Sequence, residues 1–434
     1  MTILRKFSTV DPDFARQLTH LLNRDSATEH NVDQQVADII QDVRQRGDVA
    51  LLELTAMFDN HSADSVAGLE LSKERLQQAS NNISKENFAA LTHAAERVKT
   101  YHEHQKQNSW SYTEKGGSRY GQKISPMQRA GLYVPGGKAA YPSSVLMTAI
   151  PAKVAGVKEL VMMVPAPSGE LNEMVLAAAF LAGVDRIFTI GGAQAIAALA
   201  YGTKTIPAVD TIVGPGNMYV ASAKKQVFGK VGIDMIAGPS EVLVVADETT
   251  DPDWVAMDLF AQAEHDEMAQ SILLTVDAGY ADKVQQSIEK LLPSMERRDM
   301  ITASLQKNGA VILAKDAAEL PHVINQIAPE HLELMTKDAE ALSEKVTNAG
   351  AIFIGAYSSE SLGDYVAGPS HVLPTSGTAR FSSPLGVYDF QKRTSIIHCS
   401  RDGAQELGQV ASSLARSESL TAHARSAEMR LEKE

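Results

Sequence analysis

A chain of 434 residues exceeds what one hydrophobic core ordinarily supports, and 44% hydrophobic with 21% charged residues is the composition of a soluble globular protein of two or more domains, not of a disordered one. A formal charge of −13 without any basic run disfavours nucleic acid and anionic membrane as partners and leaves small molecules. The single cysteine, Cys399, excludes an intrachain disulfide and a cysteine-built zinc cage, and fits a reducing cytoplasm.

The opening residues, Met1 to Val10, lack a secretory apolar core. From Val32 to Phe58 apolar residues recur at helical spacing (Val36, Ile39, Ile40, Val43, Leu51, Leu52, Leu54) among charged neighbours, which predicts surface helices. A second helix is expected over Asn87 to His104, then a polar segment and a boundary near Arg129. Beyond it short β-branched runs each enter a glycine or proline turn: Leu132–Val134, Leu160–Val164, Arg186–Ile190 and Thr211–Val213. Strands alternating with small-residue helices predict βαβ units and a parallel sheet buried on both faces. The longest apolar run, Met174 to Val184, is too short to span a bilayer.

After Gly238-Pro239-Ser240 the same rhythm predicts a second α/β unit, with strands Val242–Ala246, Ser271–Thr275, Ala310–Leu313 and Ala351–Ile354 between helices. Gly403 to Leu431 reads as helix with one polar side, the kind of tail that packs on a partner subunit.

Four sets of residues carry chemistry. The turns at Gly191-Gly192 and Gly214 to Asn217 sit where strands hand over to helices, so free N–H groups and the helix dipole favour a phosphate there. Neither is a G-x-G-x-x-G fingerprint, and tight turns need glycine whatever they bind. Asp251-Pro252 caps a helix on which Gln262 and His265 share a face, three residues apart as two ligands of one metal would be. The alternative is an imidazole capping the helix carbonyls. Ala328-Pro329-Glu330-His331 sets a carboxylate beside an imidazole in an expected loop outside the core, suited to removing a hydroxyl proton and activating water, or forming a simple turn. Gly363-Asp364-Tyr365 and Gly368-Pro369-Ser370-His371 form a glycine-rich stretch with hardly any regular-structure signal, either functional or an ordinary surface loop. Glu418 and His423, five apart on the terminal helix, imply nothing by themselves.

Taken together, these blocks resemble the histidinol dehydrogenase family, in the order that family uses. Gly131 to Gly137, Gly191 to Ala200 and Gly214 to Asn217 look like its nucleotide-side elements, and Ala237 to Glu241 like its substrate loop. Gln262 to His265, Pro329 to His331, Asp364-Tyr365, His371 to Thr375, Asp389 to Arg393 and Glu418 to His423 complete the pattern.

The resemblance implies an α/β fold of two Rossmann-like, incomplete, aldehyde-dehydrogenase-like parallel-sheet domains with small helical N- and C-terminal segments. Its division is 1–28 as an N-terminal helical segment, 29–128 with 237–380 as the metal and catalytic domain, 129–236 as the NAD domain, and 381–434 as a C-terminal helical segment packing on the partner. It implies a cytoplasmic homodimer that oxidises L-histidinol to L-histidine through bound L-histidinaldehyde, reducing two NAD. Zinc would be held by Gln262, His265, Asp364 and His423. His331 would be the general base and Glu330 would activate water. Ser240, His371 and Glu418 join the zinc ligands and His331 around the substrate. Tyr133, Gln194 and Asn217 contact NAD, and Glu418 and His423 come from the other chain. A paralogue oxidising another primary alcohol, a zinc hydrolase, and a non-catalytic NAD- or metal-binding protein are the rival readings; paired nucleotide loops argue against the hydrolase and Glu418 against the paralogue.

Overall fold

The computed structural model describes residues 3–23, 29–136 and 141–431. Gly137 of the nucleotide-side motif and residues 24–28 of the expected N-terminal segment lie outside the described residues.

In chain order the strands are β1 (Arg5–Ser8), β2 (Glu70–Leu71), β3 (Trp110–Thr113), β4 (Arg119–Pro126), β5 (Arg129–Tyr133), β6 (Glu159–Met163), β7 (Arg186–Phe188), β8 (Thr211–Val213) and β9 (Gly232–Ile233). There follow β10 (Glu241–Ala246), β11 (Gln270–Thr275), β12 (Ala310–Leu313), β13 (His331–Met335), β14 (Ala351–Ile354) and β15 (Gln391–His398). They form two six-stranded sheets, ordered β2-β7-β6-β5-β8-β9 and β1-β12-β11-β10-β13-β14, and a three-stranded sheet β15-β4-β3. The two large sheets are parallel except where β2 runs antiparallel to β7, so the expected α/β class with two parallel sheets holds. Their central strands are almost wholly buried and mostly apolar because helices cover both faces.

The packing divides the chain differently from the expected domain map. Val36, Ile40, Val43, Leu51 and Leu54 bury against Ile196, Leu199 and Val220 on one face of the β5–β8 sheet. Leu76, Leu91 and Val98 bury against Leu146 and Leu176 on its other face. Residues 29–103 therefore clothe the sheet of 129–236, not that of 237–380. An apolar helical stripe shows that a partner exists without showing which sheet it is. The expected N-terminal helical segment contains β1, which pairs with β12 and so belongs to the second sheet. The expected C-terminal helical segment opens with β15, which joins β4 in the antiparallel sheet over eight paired residues. No helix among the described residues is long and apolar enough to cross a membrane.

Candidate active site

In the β5–β8 sheet, β6 and β7 lie to one side of β5 and β8 to the other, so the strand order reverses between β5 and β8. That crevice, at the carboxyl ends of parallel strands, is where such sheets bind ligands. Tyr133 ends β5, Gln194 lies in the first turn of helix Gly192–Tyr201 after β7, and Asn217 caps helix Met218–Val227 after β8. Gly192 N–H donates to the Tyr133 hydroxyl at 3.1 Å, and burial pushes that hydroxyl up to about 12. Gly214 adopts φ +113°, and a Cβ there would lie 2.1 Å from Tyr133 O, so only glycine permits this approach. A buried ion pair brackets the same turn: Lys224 Nζ donates to Gly214 O at 2.9 Å, Gly214 N–H donates to Asp234 at 2.8 Å, and Lys224 pairs with Asp234. Gln194 is buried with neither amide atom hydrogen-bonded. Orphaned amide atoms beside glycine turns fit a dinucleotide offering hydroxyls and phosphates.

The second sheet presents its chemistry at the opposite edge. Glu241 begins β10 and His331 begins β13, its neighbour, so the group gathers at the amino ends of the strands. Helix Leu320–Ile327 ends in Ala328 with left-handed φ 51°, and Pro329 then delivers Glu330 and His331 to the strand. Glu330 and His331 are buried, which corrects the expected exposed loop: the strand signal of His331–Met335 was masked by alternating charged residues.

Glu241 organises both. Its backbone N–H donates to Glu330 Oε2 at 2.8 Å, and its carbonyl accepts from His331 Nδ1 at 3.0 Å. His331 Nε2 stands 3.5 Å from Asp364 Oδ1. Glu330 Oε2 and Glu360 Oε1 lie 3.8 and 4.0 Å from Nδ1. Burial alone would lower His331, but Glu360, Glu330 and Asp364 hold it well above the ordinary imidazole range. Burial pushes Glu330 and Glu360 each up to about 8. Asp364, which burial would raise, is held below its ordinary value by the imidazoles of His331, His371 and His265. These shifts place His265 and His371 in the same electrostatic cluster.

Gln262 ends the helix Pro252–Ala263 fully buried. With its amide oriented to satisfy its neighbours, Nε2 donates to Glu360 Oε1 and to Glu241 O, each at 3.2 Å. His265 follows one turn later, and desolvation holds it below the ordinary value, as a neutral ligand imidazole requires. Among the described residues, His331, Glu360 and Asp364 form a group of potential ligands with one atom of each within 4.8 Å of the others. It shares only Asp364 with the expected set. Asp364 lies on a short helix, Glu360–Tyr365, where the sequence showed little regular structure. A donor set of nitrogen and oxygen atoms alone, with the carboxylate of Asp364 held ionised and the imidazole of His265 held neutral, fits a borderline divalent cation such as zinc.

His371 Nε2 lies 3.3 Å from Ser144 Oγ, at the start of the helix Pro142–Ala155 that follows β5. This contact joins the two crevices. Ser240 is half-buried directly before β10, in a loop fixed by Gly238 N–H donating to Thr375 Oγ1 at 2.6 Å.

Glu418 and His423 stand elsewhere in the single chain. They are exposed on a hairpin of helices Arg401–Ser417 and Thr421–Glu428, closed by Arg416 to Glu428 at 2.7 Å. Leu407, Val410 and Leu414, spaced along one face of the first helix, are 43, 58 and 61% exposed. Around the His331 group Leu362, Tyr365 and Tyr357 are exposed as well. Exposed apolar side chains spaced along one helix face of a charged chain mark an interaction face.

Sequence reasoning missed Glu241, Glu333 and Glu360. Glu360 was findable as the residue four before Asp364, on one helix face; a buried Glu333 between Leu332 and Leu334 gave only the alternation of a strand.

A family model for histidinol dehydrogenase matches residues 22–431. Curated histidinol dehydrogenases from Pseudomonas fluorescens and Pseudomonas aeruginosa are 63% identical over 430 and 428 residues, covering 99% of this chain and 97% of each relative. The crystal structure of histidinol dehydrogenase from Elizabethkingia anophelis aligns with a TM-score of 0.93 at 33% identity, covering 99% of this chain and 98% of that one.

Proposed function

The chain belongs to the histidinol dehydrogenase family, and on that premise we propose that it is an NAD-dependent, zinc-requiring enzyme of histidine biosynthesis that oxidises L-histidinol to L-histidine through bound L-histidinaldehyde. The observation that carries this reading is His331, fixed through Nδ1 to Glu241 O with Nε2 turned to Asp364 and Glu330 beside it. Because a carbonyl oxygen can only accept, Nδ1 holds the proton and Nε2 is the basic nitrogen.

His331 Nε2 takes the proton of the substrate hydroxyl in the first oxidation. Glu330, whose burial raises its proton affinity, takes a proton from water that adds to the aldehyde. As that water adds, His331 returns its proton to the former aldehyde oxygen, giving the neutral diol, and then takes a diol proton again in the second oxidation. Ser240, His371 and Glu418 of the partner subunit hold the substrate, the last through its ammonium group. Gln262, His265 and Asp364 with His423 of the partner subunit hold zinc, which when bound anchors the substrate's nitrogens and offsets the carboxylates around His331. Tyr133, Gln194 and Asn217 hold NAD, which when bound accepts hydride. The exposed apolar faces of the hairpin and of the site's rim support a homodimer in which each hairpin completes the other subunit's site.

The test is NADH absorbance with histidinol and NAD. Two NADH per histidine are expected; one NADH with release of aldehyde, or none, overturns the reading. Chelation is expected to abolish turnover and added zinc to restore it. Full activity in metal-free protein refutes the zinc assignment.

A further inference from the structure

Helix Glu360–Tyr365 is six residues long, yet it sets both Glu360 and Asp364 against His331. So short a helix has little stability of its own, because nucleation costs more than one turn of hydrogen bonds returns. Its N-cap, Ser359, makes no side-chain cap hydrogen bond, so the first-turn N–H groups need an acceptor from elsewhere. Glu333 provides one. Fully buried in β13, on the same face as His331 and one pleat further along, it accepts the backbone N–H of Glu360 on Oε1 at 2.6 Å. The carboxyl of Asp258, one turn before Gln262 on helix Pro252–Ala263, lies near enough to raise the proton affinity of Glu333. One buried carboxyl thus ties the strand of His331 to the helix of Asp364. A leucine or methionine would fill this place without desolvating a charge, so packing does not explain a glutamate here.

We propose that Glu333 is a positioning residue that caps helix Glu360–Tyr365 from β13, fixes Asp364 relative to His331, and thereby sets the affinity of the site for zinc. It acts through Glu360 and Asp364. The inference rests on reading Asp364 as a zinc ligand.

Zinc affinity of the full-length protein, measured by competition with a chromophoric chelator without substrate or nucleotide, tests it. Glu333→Gln keeps an acceptor of the same reach; Glu333→Met matches the volume without one; Glu333→Asp keeps the carboxyl but withdraws the acceptor by one methylene. We expect Met to weaken zinc binding roughly 10- to 100-fold, Asp to weaken it severalfold, and Gln to stay close to wild type. NAD binding, followed by fluorescence, stays unchanged in all three because its turns belong to the other sheet. Should the Met variant not fold, the order of Gln and Asp decides. Wild-type affinity in both Met and Asp, or an Asp variant tighter than Gln, overturns the proposal. Wild-type protein that binds no zinc overturns the ligand reading beneath it, a result distinct from variants that bind as wild type does.

Discussion

His331 Nδ1 donates to the carbonyl oxygen of Glu241 at 3.0 Å, so the backbone of one central strand fixes the tautomer and tilt of the imidazole on the next. The same residue's N–H holds Glu330 at 2.8 Å, which makes the Glu330–His331 pair one rigid unit.

From this unit follows a division of labour. His331→Asn is expected to remove the first oxidation, a loss of about 10²- to 10⁴-fold in kcat for a missing general base. Glu330→Gln, whose amide oxygen still accepts from Glu241 N–H, is expected to slow mainly the aldehyde step. Rapid-quench measurement of aldehyde and histidine checks both; equal slowing of the two steps by Glu330→Gln contradicts the assignment.

Sharing of sites between subunits is open to complementation. His331→Asn and His423→Asn homodimers are each expected to be inactive, whereas mixed dimers carry one site with both defects and one with neither. Random reassortment should recover about a quarter of wild-type activity. No recovery after verified subunit exchange means that both residues serve the same chain's site.

Lys224 and Asp234 are 2% and 1% exposed, and together they grip Gly214 on both its N–H and its carbonyl. Lys224→Met leaves Asp234 charged and buried, at a cost of about 3–5 kcal/mol. Urea unfolding should show the loss, and calorimetry a weaker NAD complex. A stability change below about 1 kcal/mol contradicts the prediction.

Asp389 gives a pH signature. Burial pushes its carboxyl up to about 6, against its acceptance of Gly386 N–H and with Asp234 adding to the rise. A folded-state value above the unfolded one means that its favourable contribution is complete below about pH 4 and is lost as pH rises through 6. Asp389→Asn, still able to accept from Gly386, should therefore stabilise the protein by about 1–3 kcal/mol at pH 8 and hardly at all at pH 4.5. Urea midpoints at the two pH values check it; a larger gain at the lower pH reverses the sign and refutes the account.

Most strands of the two parallel sheets were legible because each is a short apolar run closed by glycine or proline, as in Thr211–Val213 before Gly214. β13 was hidden because His331 and Glu333 alternate with Leu332 and Leu334, a pattern that normally belongs to a half-exposed strand; here the polar face is buried in a network instead. β15 pairs with β4 across more than half of the chain, so no local signal joins them, although β3 and β4 form a local antiparallel pair. The allotment of residues 29–103 to one sheet or the other depended on tertiary contacts that periodicity does not encode. The site residues came from motif resemblance. The gathering of Glu241, Glu330 and His331 at the amino ends of β10 and β13 runs against the usual rule for parallel sheets, so no argument from sheet polarity would have found it.

β1 pairs Arg5 with Ala310, closing the outer edge of the β10–β13 sheet with a strand taken from the far side of the sequence. During synthesis that strand leaves the ribosome long before its neighbour exists, while the whole β5–β8 sheet emerges and can fold between them. Completion of the β10–β13 sheet is thus a late event of high contact order. Shortening the chain ahead of Thr9 would leave β12 with unpaired N–H and C=O groups along its flank, a ready template for another molecule's strand, and would turn a loss of a few residues into self-association.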